Sequence, residues 1–342
     1  MPVLPSELLP TTTELMPRRI PRQGNSRCWA RLAALSIAAA FLYGCHPGNA
    51  DARQLRDSCE AGDAQACNKF AVKLQKGEYV LRDDTRAAAL FDRSCTGGMA
   101  ESCASFGVIL QTGGGVKRDS ARAIAMFRQA CEGRAMEGCA RVAVLLRDGI
   151  GVPRDIARAA TLFRQACDGG NTTACAHLGS LHSAGEGVDQ DFSLAAALFR
   201  KSCDAKVAIG CTGLGQLYAD GTGVRQNDST AATLFKESCT NRSNVYRSLS
   251  GGDVVVETHD PTACFRLAVA YESGQGIGQD FERAGALYRE VCEDKNGEAC
   301  ARLAGLYEKG AGVNRDSKQA TKLRKQACDF GYIESCVKPK AS

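Results

Sequence analysis

Sixteen of the 18 cysteines recur at a fixed interval, and this interval limits the fold more than any other feature. From Cys59 they fall in pairs: Cys59/Cys67, Cys95/Cys103, Cys131/Cys139, Cys167/Cys175, Cys203/Cys211, Cys239/Cys264, Cys292/Cys300 and Cys328/Cys336. Members of a pair stand eight residues apart, except Cys239/Cys264. The pairs themselves recur every 36 residues from Cys59 to Cys239, and again from Cys292 to Cys328. A constant period of 20 to 50 residues belongs to stacked supersecondary units, none of which can bury its apolar face alone. Residues 59–336 therefore read as one repeat array.

Each unit reads as two helices. About ten helical residues with small and aliphatic side chains follow the second cysteine, as in Cys300-Ala301-Arg302-Leu303-Ala304-Gly305-Leu306-Tyr307. A Gly-x-Gly turn comes next: Gly113/Gly115, Gly149/Gly151, Gly185/Gly187, Gly221/Gly223, Gly274/Gly276 and Gly310/Gly312. Glycine ends helices because a positive φ costs it little. The first unit has Gly77 but Tyr79, which predicts a different turn there. Asp83, Asp119, Asp155, Asp191, Asn227, Asp280 and Asp316 read as N-caps of the second helix. Alanine stands four residues on, from Ala87 to Ala320, and Leu-Phe pairs such as Leu162-Phe163 follow. The last unit replaces the aromatic with Arg324, as suits a terminal face on which nothing stacks.

These residues resemble the Sel-one-like repeat, a relative of the tetratricopeptide repeat. Its pattern is nearly complete at Leu214-Gly215-Gln216-Leu217-Tyr218-Ala219-Asp220-Gly221-Thr222-Gly223-Val224. The paired cysteines and the 36-residue unit are similar to the cysteine-rich Hcp branch, described as secreted and often labelled β-lactamase-like. The resemblance implies an all-α fold, an α/α solenoid with a right-handed superhelix of seven antiparallel helix pairs, stapled by disulfides. Each first cysteine ends one unit's second helix and each second cysteine starts the next unit, so a short reversal brings the two together. Closing such a nine-residue loop contributes roughly 2.5 kcal/mol by the chain-entropy model. Zinc ribbons and redox motifs use closer spacings than Cys-x₇-Cys, so eight local bridges are expected.

The first 44 residues read as an export signal. Arg18, Arg19, Arg22, Arg27 and Arg31 precede a short apolar run, Leu32 to Tyr43, which is too short to span a bilayer. Leu42-Tyr43-Gly44-Cys45 resembles a bacterial lipobox, which implies lipidation of Cys45; cleavage after Ala50 is the alternative and would release a soluble protein. Residues 1–15 hold two acids, three prolines and no base, so Met16 is a candidate start. Residues 45–58 read as a linker or cap, and 337–342 as a tail. The segment before Cys45 carries five arginines and two glutamates, three of the chain's five net positive charges. With it removed, the basic bias that would favour nucleic acid largely disappears.

Nothing in the sequence calls for a metal or cofactor, and none is expected. The four histidines have no metal-ligand spacing, and His182 fills the slot held elsewhere by Tyr218, Tyr271 and Tyr307. The single Ser-x-x-Lys, Ser335-Cys336-Val337-Lys338, stands at the C-terminus without a Lys-Thr-Gly. The position two after each second cysteine carries Lys69, Ser105, Arg141, His177, Gly213, Arg266 and Arg302. In a stack these form one stripe, and first helices line the concave side of the related tetratricopeptide folds. Lys69, Arg141, His177, Arg266 and Arg302 are therefore candidate ligand-binding residues for an acidic peptide or cell-wall fragment; a solvated helix face has the same composition. The segment 240–262 adds 17 residues to the usual linker, and Asp253-Val254-Val255-Val256-Glu257 reads as a short hairpin arm. A partner contact and a neutral insertion both fit it.

The expected protein is an exported, non-enzymatic interaction scaffold. It would be a monomer in the periplasm or on the cell surface, held to the membrane only by lipid. The alternative implied by the resemblance is a β-lactam or peptidoglycan-fragment binder with weak hydrolase activity.

Overall fold

A computed structural model describes residues 47–240 and 260–336. These form fifteen α-helices and one short 3-10 turn, with no strand among the described residues. Helix α1 (Pro47–Glu60) precedes seven helix pairs: α2 (Ala64–Lys76) and α3 (Asp84–Thr96), α4 (Ala100–Thr112) and α5 (Ser120–Glu132), α6 (Met136–Asp148) and α7 (Ile156–Asp168), α8 (Thr172–Ala184) and α9 (Phe192–Asp204), α10 (Ala208–Asp220) and α11 (Asp228–Thr240), α12 (Pro261–Ser273) and α13 (Phe281–Glu293), α14 (Gly297–Lys309) and α15 (Ser317–Asp329). Each helix packs on its sequence neighbours, giving an α/α solenoid. The signal, Cys45, His46, most of the 240–262 insertion with its hairpin arm and His259, and the 337–342 tail lie outside the described residues.

The same few contacts build every unit. At the top of each pair the second-helix N-cap works twice. Its side chain accepts a backbone N–H in the first turn, as Asp155 does from Arg158 at 2.9 Å. Its own N–H returns to a first-helix carbonyl, from Asp155 to Leu146 at 2.9 Å and from Asp280 to Tyr271 at 2.9 Å. The hairpin is thus closed by an otherwise unpaired helix-end group. Between the helices, alanines from Ala87 to Ala320 are fully buried, and the aromatics Phe91, Phe127, Phe163 and Tyr288 expose 1% or less. A small residue lets the backbones approach, and the aromatic fills the space beside it.

All eight expected cysteine pairs are disulfides: Cys59–Cys67, Cys95–Cys103, Cys131–Cys139, Cys167–Cys175, Cys203–Cys211, Cys239–Cys264, Cys292–Cys300 and Cys328–Cys336, with Cα–Cα distances of 4.5 to 4.9 Å. Six join the last turn of one second helix to the first turn of the next first helix and so staple unit to unit; Cys59–Cys67 ties α1 to the first unit, and Cys328–Cys336 ties α15 to the terminal 3-10 turn. The bridges belong to the core and offer no surface to a ligand. Cys67 and Cys103 each expose 1%, and Cys139, Cys175, Cys211, Cys264 and Cys300 are likewise buried. Cys131 and Cys328 are half-buried, and Cys336 is exposed.

The reversal between paired cysteines needs a left-handed residue three after the first of them. Gly62, Gly98, Gly170 and Gly331 supply it, as do Arg134, Lys206 and Lys295 at φ 63 to 65°. Sequence reading misses this position, because three of its seven described residues are basic.

Tyr79 corrects the expectation of a different first turn. It adopts φ 61° and keeps the form of the other turns. The second glycine of the turn matters elsewhere for a second reason. A Cβ on Gly115 would lie 2.5 Å from the Asp84 carbonyl carbon, and one on Gly276 would lie 2.1 Å from the Asp228 carbonyl oxygen. The turn rests on the start of the preceding unit's second helix. At the first unit Tyr79 is 49% exposed, with the Lys73 ammonium 5.3 Å from its ring centroid.

The stack also curves. At two junctions consecutive first helices touch directly, α4 with α6 and α8 with α10, whereas no consecutive second helices have a comparable contact. Units lie closer on the first-helix side, so that side is the inside of the curve.

Candidate functional site

The inner surface is built from exposed and half-buried positions of the first helices, at residues −2, +2, +5 and +9 from each second cysteine. Their side chains share one face by helical spacing. The candidate stripe at +2 lies here, above the aromatic of the preceding second helix. The His177 ring stands 5.1 Å from that of Phe163, and a Cβ on Gly213 would press on the Phe199 ring.

The five candidate ligand residues do not form a row of free cations. Arg141 is exposed, but its Nε donates to Glu137 Oε1 at 2.7 Å, and Glu137 also accepts from Asn171 of the next unit at 3.1 Å. Arg302 donates through Nε to Glu298 at 3.0 Å and through Nη1 to Glu272 at 3.2 Å. Tyr288, buried below, donates its hydroxyl to the same Glu272 oxygen at 2.6 Å. Burial, reinforced by that hydrogen bond, pushes the Tyr288 phenol above its ordinary range, so it remains a donor. Lys69 and Arg266 are exposed and make no ion pair or hydrogen bond among the described residues.

His177 is not a cation either. Its Nδ1 lies 3.2 Å from Arg147 Nη1. A guanidinium can only donate, so Nδ1 accepts and the ring proton sits on Nε2. Desolvation, then repulsion from Arg147, pushes the imidazole from its ordinary 6.5 down to about 4, with Asp148 partly offsetting this. Because the folded pKa is depressed, the unfolded chain binds this proton first as pH falls. Stability is therefore full above about 6.5 and is lost as pH drops towards 4, by about 3 kcal/mol at about 1.4 kcal/mol per pKa unit. In urea titrations at a series of pH values, His177→Gln is expected to flatten the loss of stability between pH 6.5 and 4 relative to the parent. Parallel curves for the two proteins would refute the assignment.

These contacts bring out a position that sequence reasoning overlooks, eight residues after the second cysteine. It carries Gln75, Gln111, Arg147, Ser183, Ala219, Glu272 and Glu308. In one unit it faces the +2 residue of the next, as Arg147 faces His177 and Glu272 faces Arg302. In the last described unit Glu308 instead takes Arg324 in a bidentate pair at 2.7 and 2.8 Å. That contact repeats Tyr288 on Glu272, with the guanidinium standing where the aromatic would be. The visible signal was a variable polar residue at a fixed register beside the alanines and leucines of the core.

His182 is 6% exposed, and its Nδ1 lies 3.1 Å from the Asp189 carbonyl. Ser335 sits in the terminal 3-10 turn, where its hydroxyl has no hydrogen-bond partner among the described residues, and Lys338 lies outside them. The one grouping with metal-ligand spacing among the described residues is Cys203, Cys211 and Glu237. Its sulfurs form a disulfide, and Glu237 pairs with Lys206. A concavity of about 830 Å³ at the N-terminal end holds Arg82 paired with Asp84 at 3.0 Å and Arg86 stacked 5.4 Å from the centre of the Phe70 ring.

Seven stretches match the Sel1 repeat: residues 64–99, 100–133, 137–171, 172–207, 208–243, 261–295 and 297–332, together well over half of the chain. The chain belongs to the Sel1 repeat family. Each matched stretch begins at or near the start of a first helix, so the family unit coincides with the helix pairs described above. Among solved structures, this Sel1 repeat chain is similar to c5321, a protective antigen present in uropathogenic Escherichia coli strains that displays the SLR fold. The two are 24% identical with a TM-score of 0.63, over 83% of this chain and 57% of the antigen. The chain thus spans little more than half the antigen's length. It is also similar to a Sel1 repeat protein from Oxalobacter formigenes, at 22% identity and TM-score 0.59, over 72% of this chain and 94% of the other. Cysteine rich protein B of Helicobacter pylori aligns at 22% identity over 38% of this chain and 93% of its own, with a TM-score of 0.32. Identities this low establish the fold alone. No curated protein matches the sequence.

Proposed function

We propose that the protein is an exported interaction scaffold whose inner first-helix surface holds an extended peptide. The observation that carries this reading is the inner surface itself: a partly exposed face that mixes polar residues at −2, +2 and +9 with valines at several +5 positions, on a frame stapled at every junction. A rigid frame reduces the ordering cost of binding a flexible segment. Successive units offer equivalent positions at regular intervals along the ligand, as repeat proteins characteristically do. Eight disulfides suit an oxidising compartment. We extend this to the bacterial periplasm or cell surface, with the membrane contacted only through lipid on Cys45. No described helix is long and apolar enough to cross a membrane. The scaffold acts as a monomer towards a protein or peptide, a cell-wall peptide included, and nucleic acid is not a partner.

A photo-crosslinking amino acid placed at Ser180 or Gln216 on the inner face is expected to give partner adducts in the native host. The same group at the exposed outer residues Arg128 or Arg164 should give few. Equal yields from both faces would remove the groove reading.

A further inference from the structure

One junction of the inner surface differs from the next in a single residue, and the difference leaves a groove. Between the sixth and seventh units, Glu272 of α12, Tyr288 of α13 and Arg302 of α14 close on one another at 2.6 and 3.2 Å. Between the fifth and sixth units the equivalent residues are Ala219 of α10, Phe235 of α11 and Arg266 of α12. The aromatic and the guanidinium remain, while the carboxylate between them has been replaced by a methyl group. What is left is a groove of about 300 Å³ lined by Ala219, Phe235 and Arg266, with Val269 and Gln275 beside them. That volume lies at the lower end of the range for ligand sites, about 300 to 1,000 Å³.

The rim also carries two carboxylates, and their hydrogen bonds come from neutral amides, which leave both charged. Asp220 accepts from Gln216 Nε2 at 2.7 Å, and Asp228 is approached by Gln226 Nε2 at 3.4 Å. Neither carboxylate reaches Arg266 within ion-pair distance. The Arg266 guanidinium borders the same groove as Ala219 and Phe235, with its donors unused among the described residues. Phe235 also lacks the hydroxyl that Tyr288 uses as a second donor, so the carboxylate's recognition falls to Arg266 alone.

We infer that this groove is a receptor for one carboxylate of a bound peptide, the guest replacing the carboxylate that Glu272 supplies one unit further on. A bidentate guanidinium–carboxylate pair is among the stronger charge-assisted contacts. An acidic side chain and a peptide C-terminus both present this group. The subsite rests on the reading of the inner face as a peptide groove, and it adds the chemistry recognised at one position.

The test uses the full oxidised chain and three synthetic hexapeptides of one Gly/Ser/Val scaffold. One has an internal Glu and an amidated end, one an internal Gln and a free carboxylate end, and one an internal Gln and an amidated end. Arginine Nε–Hε signals are followed by NMR during titration. The Arg266 signal, identified by its loss in Arg266→Gln, is expected to shift saturably with at least one carboxylate peptide and not with the amide control. A response to the first peptide alone assigns a side chain, and a response to the second alone assigns a terminus. Ala219→Glu places a tethered carboxylate where Glu272 stands and is expected to weaken binding at least tenfold with unchanged helicity. If that variant misfolds, Arg266→Gln carries the same comparison. An Arg266 signal that moves equally with all three peptides, or with none, overturns the subsite, as does undiminished affinity in Arg266→Gln. Inner-face crosslinking that persists alongside such a result leaves the groove reading intact, whereas a responsive Arg266 without inner-face crosslinks leaves only the subsite.

Discussion

Reduction is expected to unfold this chain at a temperature and urea concentration where the oxidised protein is fully helical. Seven bridges close nine-residue loops, and one, Cys239–Cys264, spans 25 residues. The chain-entropy model assigns roughly 2.5 kcal/mol to each short loop and roughly 3.5 kcal/mol to the long one. The eight together reach about 20 kcal/mol, which exceeds the 5 to 15 kcal/mol of net stability typical of a folded domain. The bridges are also core: Cys139, Cys175, Cys264 and Cys300 are completely buried and Cys67 and Cys103 nearly so, so reduction converts packed sulfur pairs into separate thiols. The Cys328–Cys336 bridge at the end of the stack is the most exposed and should be reduced first. Far-UV circular dichroism during a urea titration, with and without reductant, checks this. Superimposable curves would show that packing alone holds the units together.

Gly276→Ala is expected to cost about 3 kcal/mol or more, from a single added methyl. The residue lies at φ 69°, where an L side chain costs about 1 to 2 kcal/mol. The new Cβ would also sit 2.1 Å from the Asp228 carbonyl oxygen and 2.2 Å from its carbon. Both are backbone atoms at the first turn of α11, which no rotamer change can move. Relief requires the fifth and sixth units to separate, and overpacking of this kind typically costs a further 1 to 3 kcal/mol. Tyr79→Gly, at the same position of the first unit, should change stability by about 1 kcal/mol or less. There the gain in backbone freedom opposes the loss of the Lys73 contact at 5.3 Å. Because each unit touches only its neighbours, amide hydrogen exchange should locate the Gly276→Ala damage in α11 and α12. Uniform loss of protection along the stack, or no loss, would contradict the mechanism.

Much of this architecture is legible because repetition converts weak local signals into a strong one. One Asp before an apolar run is an ordinary cap; seven caps at the same register, each followed four residues later by alanine, define an interface. The cysteine spacing identifies which helix ends meet. Tyr79 misleads for a physical reason: glycine is demanded at that turn by what stands behind it as much as by φ. Tyr79 reaches φ 61° without glycine and remains 49% exposed.

The inner surface is only half legible. Periodicity places Lys69, Arg141, His177, Arg266 and Arg302 on one stripe, yet gives no sign of which are occupied. Whether an arginine is free depends on the residue four before it on the same helix and on the inner residue of the preceding unit. Glu298 and Glu272 occupy Arg302, and Thr262 and Ala219 leave Arg266 open. His177 resembles one more cation in the sequence, and its burial, then the contact with Arg147 against its ring, keep it neutral.

From the sequence alone come the repeat, the two helices of each unit, their caps and turns and the pairing of the cysteines, because all of these depend on residues close in the chain. Tertiary structure decided which side of the stack is the inside, why Gly276 admits no side chain, and which charges face a ligand and not each other. Those properties arise between units, where side chains one repeat or more apart compete for the same small space.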